Sequence, residues 1–171
     1  MDQIIVCDNF LTQPEIQQAV DILKKKSWKF NNTDDKYITP FWNINLIQND
    51  YFAIFMKNEI ELFFKKKFTL IEVYASGQTF GQDSTYDNNI ISNVNAYTFC
   101  MFFTDLKKED IDLAGGYLYI KFPEEKYKIC YEPLFNRGLF FPSSYINKSA
   151  AFGRFFMDMK ISVYWKLEEV V

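Results

Sequence analysis

Gly115-Gly116-Tyr117-Leu118-Tyr119-Ile120-Lys121-Phe122 opens on a backbone break and then alternates. Leu118, Ile120 and Phe122 fall on one face of an extended chain, because successive side chains of a strand point to opposite sides. The paired glycines mark a turn ahead of it. Working outward, the same signature recurs on both flanks. Upstream, Asn95–Thr104 is a long apolar strand candidate and Phe68–Ala75 another, with Gly77 and Gly81 bracketing a turn region. Lys107–Asp112 reads as a charged loop. Downstream, Tyr127–Tyr131, Gly138–Phe141 and Met159–Leu167 complete a set of short strands.

The first third of the chain has a different period. Ile4-Ile5-Val6-Cys7 is a short strand candidate, and Thr12-Gln13-Pro14-Glu15 is a capping box. Ile16, Ala19, Val20 and Leu23 recur at helical spacing, which predicts a helix to about Lys26. A second helix begins near Asp50, with Phe52, Phe55, Met56, Ile60 and Phe63 along one face. Trp42 and Asn45-Leu46-Ile47 between them form a strand candidate. The lysine runs Lys24–Lys26 and Lys65–Lys67 close these helices, where cations complement the macrodipole. Two helices followed by many strands predict an α+β fold, with helices packed on one sheet of a sandwich or jelly roll.

Composition narrows the chemistry. The 171 residues fit one domain, and a net charge of −3 with no basic stripe argues against nucleic acid as a partner. Aromatic residues make up 19%, enough to fill a core and leave a surplus at the surface for a protein partner or self-association. Cys7, Cys100 and Cys130 show no CxxC spacing and read as reduced core thiols of a cytosolic protein. Met1-Asp2-Gln3 does not open a signal peptide, and no apolar run is long enough for a membrane span. The chain contains no histidine. Ser-His-Asp and Cys-His catalysis and zinc-finger sites are therefore excluded. No Walker-type glycine loop is present. Glu124-Glu125 and Glu168-Glu169 are sequential and read as solvated pairs.

Several segments, taken in order, resemble one family. Val73-Tyr74-Ala75-Ser76-Gly77-Gln78-Thr79-Phe80-Gly81-Gln82-Asp83 is similar to the stretch that leads into the metal ligands of prolyl-4-hydroxylase-like, Fe(II)/2-oxoglutarate-dependent oxygenases, particularly a phage and marine branch. Gly115-Gly116 and its alternating strand look like that family's Gly-Gly element. Pro133-Leu134-Phe135-Asn136-Arg137-Gly138-Leu139-Phe140-Phe141 resembles the strand before its last ligand. Lys160-Ile161-Ser162 sits where the family places Arg-x-Ser for the 2-oxoglutarate carboxylate. Asp8-Asn9-Phe10-Leu11 and Trp28-Lys29-Phe30 resemble its opening elements, so the likeness covers nearly the whole chain.

The resemblance implies a double-stranded β-helix (jelly roll, cupin-like) over about residues 68–167. It implies N-terminal helices, within about residues 10–67, packed on the major sheet, all in one domain of residues 1–171. It also implies where a His-x-Asp…His triad would stand. Two imidazoles and a carboxylate on one face suit Fe(II) and leave open positions for 2-oxoglutarate and oxygen. Those positions fall here on Asp87, Asn89 and Asn147, and a one-residue shift would align Tyr86 and Asn88 instead. The expectation is a degenerate oxygenase, a pseudoenzyme without iron. Asp87, Asn89 and Asn147 would make turns at strand ends or a weak Mg²⁺ or Ca²⁺ site. Lys160, Ser162 and Tyr74 are candidates to hold a carboxylate, with Lys160 supplying a point charge.

The leading expectation is a binding or structural subunit, with a virion or phage assembly component among the candidates. Its location would be the cytoplasm, or the virion if the chain is virus-encoded. The alternatives are a sensor that binds a dicarboxylate such as 2-oxoglutarate in the old pocket, or a divergent dioxygenase with an altered metal site. No membrane association is expected.

Overall fold

The computed structural model describes residues 4–31, 39–86, 93, 95–122 and 127–170. In chain order the elements are β1 (Ile5–Cys7), α1 (Gln13–Lys25), β2 (Lys29–Asn31), β3 (Phe41–Asn45) and a π-turn (Tyr51–Phe55) running into α2 (Met56–Phe64). Then come β4 (Phe68–Gln78), β5 (Ala96–Phe102), α3 (Ile111–Ala114), β6 (Leu118–Lys121), β7 (Lys128–Tyr131), β8 (Gly138–Pro142), β9 (Ile146–Ser149) and β10 (Lys160–Glu169). The strands form a seven-stranded sheet, ordered β1-β8-β5-β10-β4-β3-β2, and a three-stranded sheet, β7-β6-β9. This is the α+β double-stranded β-helix, with helices on the larger sheet. Among the described residues, no helix is long and apolar enough to cross a membrane.

Strand alternation builds two cores. On β10, Val163, Trp165 and Leu167 face the helices and pack with Ile16, Leu23, Phe52 and Met56. Tyr164, between them, faces the smaller sheet and packs with Leu118, Ile120 and Phe141. The opening alternation of Leu118 and Ile120 is therefore the inner wall of the barrel. Tyr51 donates from its hydroxyl to Glu15 O at 2.6 Å and ties the two helical segments together.

Several sequence expectations shift. Gly77 lies inside β4 rather than in a turn, because a Cβ there would meet Met159 Sδ at 2.6 Å and Trp28 Cζ3 at 2.9 Å. The strand expected to take in Trp42 and Asn45-Leu46-Ile47 is Phe41–Asn45, which holds Trp42 and Asn45 but ends before Leu46, where Asn45 Oδ1 accepts from the Ile47 N–H in a local turn. The π-turn widens the start of the second helix and rotates the later turns of that helix. Phe63 is about half exposed in consequence, although its ring still touches Phe10. Lys107–Asp112 is not merely a loop: it leads into α3, whose Ile111 and Ala114 bury against Leu106 and Phe152. Cys7 and Cys100 are buried as expected, but Cys130 is exposed. It pairs opposite Tyr119 on the outward side of the smaller sheet, away from Leu118 and Ile120. The aromatic surplus does reach the surface, at Phe80 and Phe155.

A buried asparagine locks the N-terminal segment to the sheet. Asn136 has a φ of +62° and accepts from Leu11 N at 2.9 Å while donating to Leu11 O at 2.7 Å. Asn136→Ala leaves both backbone groups unmatched and keeps the unfavourable φ. It is expected to lower unfolding free energy by about 1–3 kcal/mol in urea titration. Asn136→Gly relieves only the φ and should recover part of that loss.

Candidate functional site

Between the two sheets lies a cavity of about 660 Å³. Its floor is the inner face of the larger sheet: Asn43 and Asn45 from β3, Tyr74 and Ser76 from β4, Tyr164 and Lys166 from β10. These meet through register, since Tyr74 pairs opposite Tyr164 and Asn45 opposite Tyr74. The two tyrosine rings stack, with centroids 5.3 Å apart and 17° between planes. The facing wall comes from β9, through Asn147 and Ser149. Most lining residues carry an amide or a hydroxyl, Glu72 and Lys166 add one carboxylate and one ammonium, and Phe41 and Ile71 add apolar surface. Among the described residues, aromatic side chains line the space and do not fill it.

Lys160 lies on the same inward-facing series of β10 but beneath this cavity rather than in its lining. It is fully buried, and Nζ donates to Ser149 Oγ at 2.7 Å and to Ala150 O at 2.6 Å. Ser149 Oγ in turn donates to Gln78 Oε1 at 2.7 Å, and Gln78 Nε2 returns a bond to Ser149 O at 3.0 Å. Lys160 has no carboxylate within ion-pair distance among the described residues, and Nζ lies 5.8 Å from the Phe102 ring centroid. Burial pushes its pKa down to about 7, against weaker opposing pulls from Cys100 and Asp83. Two residues on, the Ser162 hydroxyl is buried and lacks a hydrogen-bond partner. Lys160 and Ser162 thus share the inward face of β10, both buried, and the Ser162 hydroxyl has no partner among the described residues.

The expected residues are only partly gathered. Tyr74 and Asn147 line one cavity, and Lys160 and Ser162 lie below it, separated by Ser149. Asp87, Asn88 and Asn89 lie outside the described residues, as does the Glu124-Glu125 pair. Sequence reasoning missed Ser149, Gln78 and the β3 asparagines. Strand β9 reads Ile146-Asn147-Lys148-Ser149 and carries no apolar alternation, so nothing marked it as a strand. Among the described residues, no group of three or more Cys, Asp and Glu side chains is placed to hold a metal ion.

No family model matches the chain, and no curated protein sequence matches it. Solved structures do. A prolyl-4-hydroxylase from Pseudomonas putida superposes with a TM-score of 0.71 at 12% identity, over 100% of this chain and 95% of that one. A prolyl hydroxylase from Trichoplax adhaerens, in complex with a hypoxia-inducible-factor peptide fragment, gives 0.71 at 12% over 98% and 84%. The viral collagen prolyl hydroxylase of Paramecium bursaria Chlorella virus-1, in its 2-oxoglutarate complex, gives 0.62 at 14% over 98% and 96%. At these identities the likeness establishes the fold of the 2-oxoglutarate oxygenases.

Proposed function

We propose that this chain is an iron-free binding protein built on the 2-oxoglutarate oxygenase fold, and not an oxygenase. One observation carries the reading: the β9 position that faces the cavity holds Asn147, in a chain without a single imidazole, while the cavity beside it stays open. Ferrous iron in a facial triad needs two neutral nitrogen donors and a carboxylate. Asn147 offers an amide oxygen, a harder and weaker donor for Fe(II). The neighbouring Ser149 hydroxyl is already engaged by Lys160 and Gln78. The donor set therefore does not fit the family's iron, and no oxidative step is derived. Purified protein incubated with ferrous salt and desalted should retain iron far below one equivalent and convert no 2-oxoglutarate to succinate. Stoichiometric iron with turnover would overturn the reading.

The buried Lys160 and the orphan Ser162 hydroxyl favour a more specific version, a dicarboxylate ligand. An anion that reached Nζ would restore the ammonium, so binding at pH 8 should take up close to one proton. Calorimetric titration with 2-oxoglutarate in buffers of different ionisation enthalpy reads this directly. Heat that does not depend on the buffer, or no thermal shift at millimolar ligand, would remove the dicarboxylate and leave the binding-protein reading to stand on the iron result.

A further inference from the structure

We infer that the free edge of the smaller sheet is a self-association surface, on which β7 pairs antiparallel with β7 of a second copy of this chain about a two-fold axis at Cys130. Strand β7 pairs with β6 on one side, and its other side pairs with no strand among the described residues. An unpaired edge presents a row of N–H and C=O groups that can template another strand. The opposite edge of the same sheet is covered, because Ser84 N donates to Ser149 O at 2.9 Å and Ala151 N to Asp83 Oδ1 at 2.8 Å.

Both faces of β7 also carry unspent side-chain surface. Ile129 pairs opposite Ile120 and so points to the barrel side, yet it is 36% exposed, and the adjacent Tyr127 is 57% exposed. Cys130 lies on the outer face, exposed. Lysine on an edge strand ordinarily guards it against pairing, and Lys128 stands there. The local sequence cancels that guard when the strand meets its own copy. With Cys130 opposite its own copy, the antiparallel register puts Lys128 opposite Glu132 twice, and Ile129 opposite Tyr131 twice. Residues directly opposite one another share a face, so the charged pairs fall with Cys130 on the outer side and the apolar pairs on the inner side. Glu132 reaches this pair through a side chain that is 45% exposed, although its Oε2 also holds Arg137 Nη1 at 3.2 Å. The neutralisation is a property of the chain meeting itself, which is why the occupant is a second copy.

One strand pair buries little area, so the association is of the weak, concentration-dependent kind. Sedimentation of the full chain from about 10 µM to 1 mM should show a monomer–dimer equilibrium, since weak interfaces of this size fall in that range. Lys128→Glu places like charges opposite Glu132 and should weaken the dimer at least about tenfold. Glu132→Lys should do the same. Mixing the two variants restores opposite charges at both positions, so the mixture should dimerise although neither variant does alone. Across the two-fold, Cα atoms of opposed residues lie roughly 4.5–5.5 Å apart, within disulfide range. Diamide, which accepts the two thiol hydrogens and is reduced to the hydrazine, should therefore link Cys130 to Cys130, and Cys130→Ser should abolish the link. A chain that stays monomeric at 1 mM, or a dimer indifferent to the charge reversals and their mixture, overturns the proposal.

Discussion

Lys160→Met should abolish a rise in stability that the natural chain shows between about pH 7 and pH 9. The sign is set by where the proton binds. Unfolded, the amine titrates near its ordinary value of 10.5; folded, burial brings it down to about 7. Below pH 7 both states are protonated, and the folded state carries the full cost of a buried ammonium. Between those values the unfolded chain binds the extra proton, so stability climbs as pH rises, by about 1.4 kcal/mol per unit at its steepest. Across the whole window this amounts to roughly 4–5 kcal/mol, and roughly 2–3 kcal/mol of it falls between pH 7 and 9. Above pH 9 the buried thiols of Cys7 and Cys100, raised to about 11 and 12, act in the opposite sense and hide the remainder. Methionine has similar length and no charge, so the variant should be more stable than the natural chain near pH 6 and should converge with it as the pH rises. Urea midpoints at pH 6, 7, 8 and 9 for both proteins measure this. An unchanged slope in the variant would mean that Lys160 is not the group responsible.

Trp165→Ala should cost about 3–5 kcal/mol, the range for emptying an aromatic site in a packed interior. Trp165 is fully buried, lies 5.7 Å from the ring of Phe99, and donates from Nε1 to Phe52 O at 2.8 Å. That bond fastens the π-turn to the middle of β10. Trp165→Phe keeps most of the volume but leaves the Phe52 carbonyl unmatched, for a smaller loss of about 1–3 kcal/mol. Because Tyr164 and Lys166 flank Trp165 on the opposite face, loosening it should also weaken any ligand held in the cavity. Equal denaturation midpoints for the alanine variant and the natural chain would contradict this packing.

The open cavity changes what the missing histidines mean. A site filled by Phe or Tyr would have left only a surface to consider. Here the fold keeps an interior whose lining includes amides and hydroxyls, and Lys160 lies on β10 bonded to Ser149. The cavity is open on the described residues, and the chain has no imidazole to offer a metal. Association through β7 uses a different surface, on the outer edge of the smaller sheet. Substitution at Lys128 or Glu132 should therefore alter self-association and leave ligand binding in the cavity unchanged.

Local pattern alone determined the α+β class, the capping box at Thr12, the two helices and most strands, because periods of about 3.6 and 2 are properties of single segments. The absence of imidazole was equally plain, since it depends on composition and not on arrangement. Tertiary structure decided the rest. Gly77 looked like a turn residue because a glycine marks both a bend and a close approach, and only the packing of Trp28 and Met159 onto it distinguishes them. Strand β9 has no apolar alternation because its inner residues, Asn147 and Ser149, line the cavity, so Ser149 became visible only when the sheets faced each other. Cys130 looked like a core thiol until the register placed it opposite Tyr119 on the outer face, since a one-residue change of register moves every side chain to the other side. Lys160 could be read from resemblance as a carboxylate holder. That it stands buried, bonded to Ser149 and Ala150 and with no carboxylate in ion-pair distance among the described residues, depends on the end of β9 in the smaller sheet closing over β10.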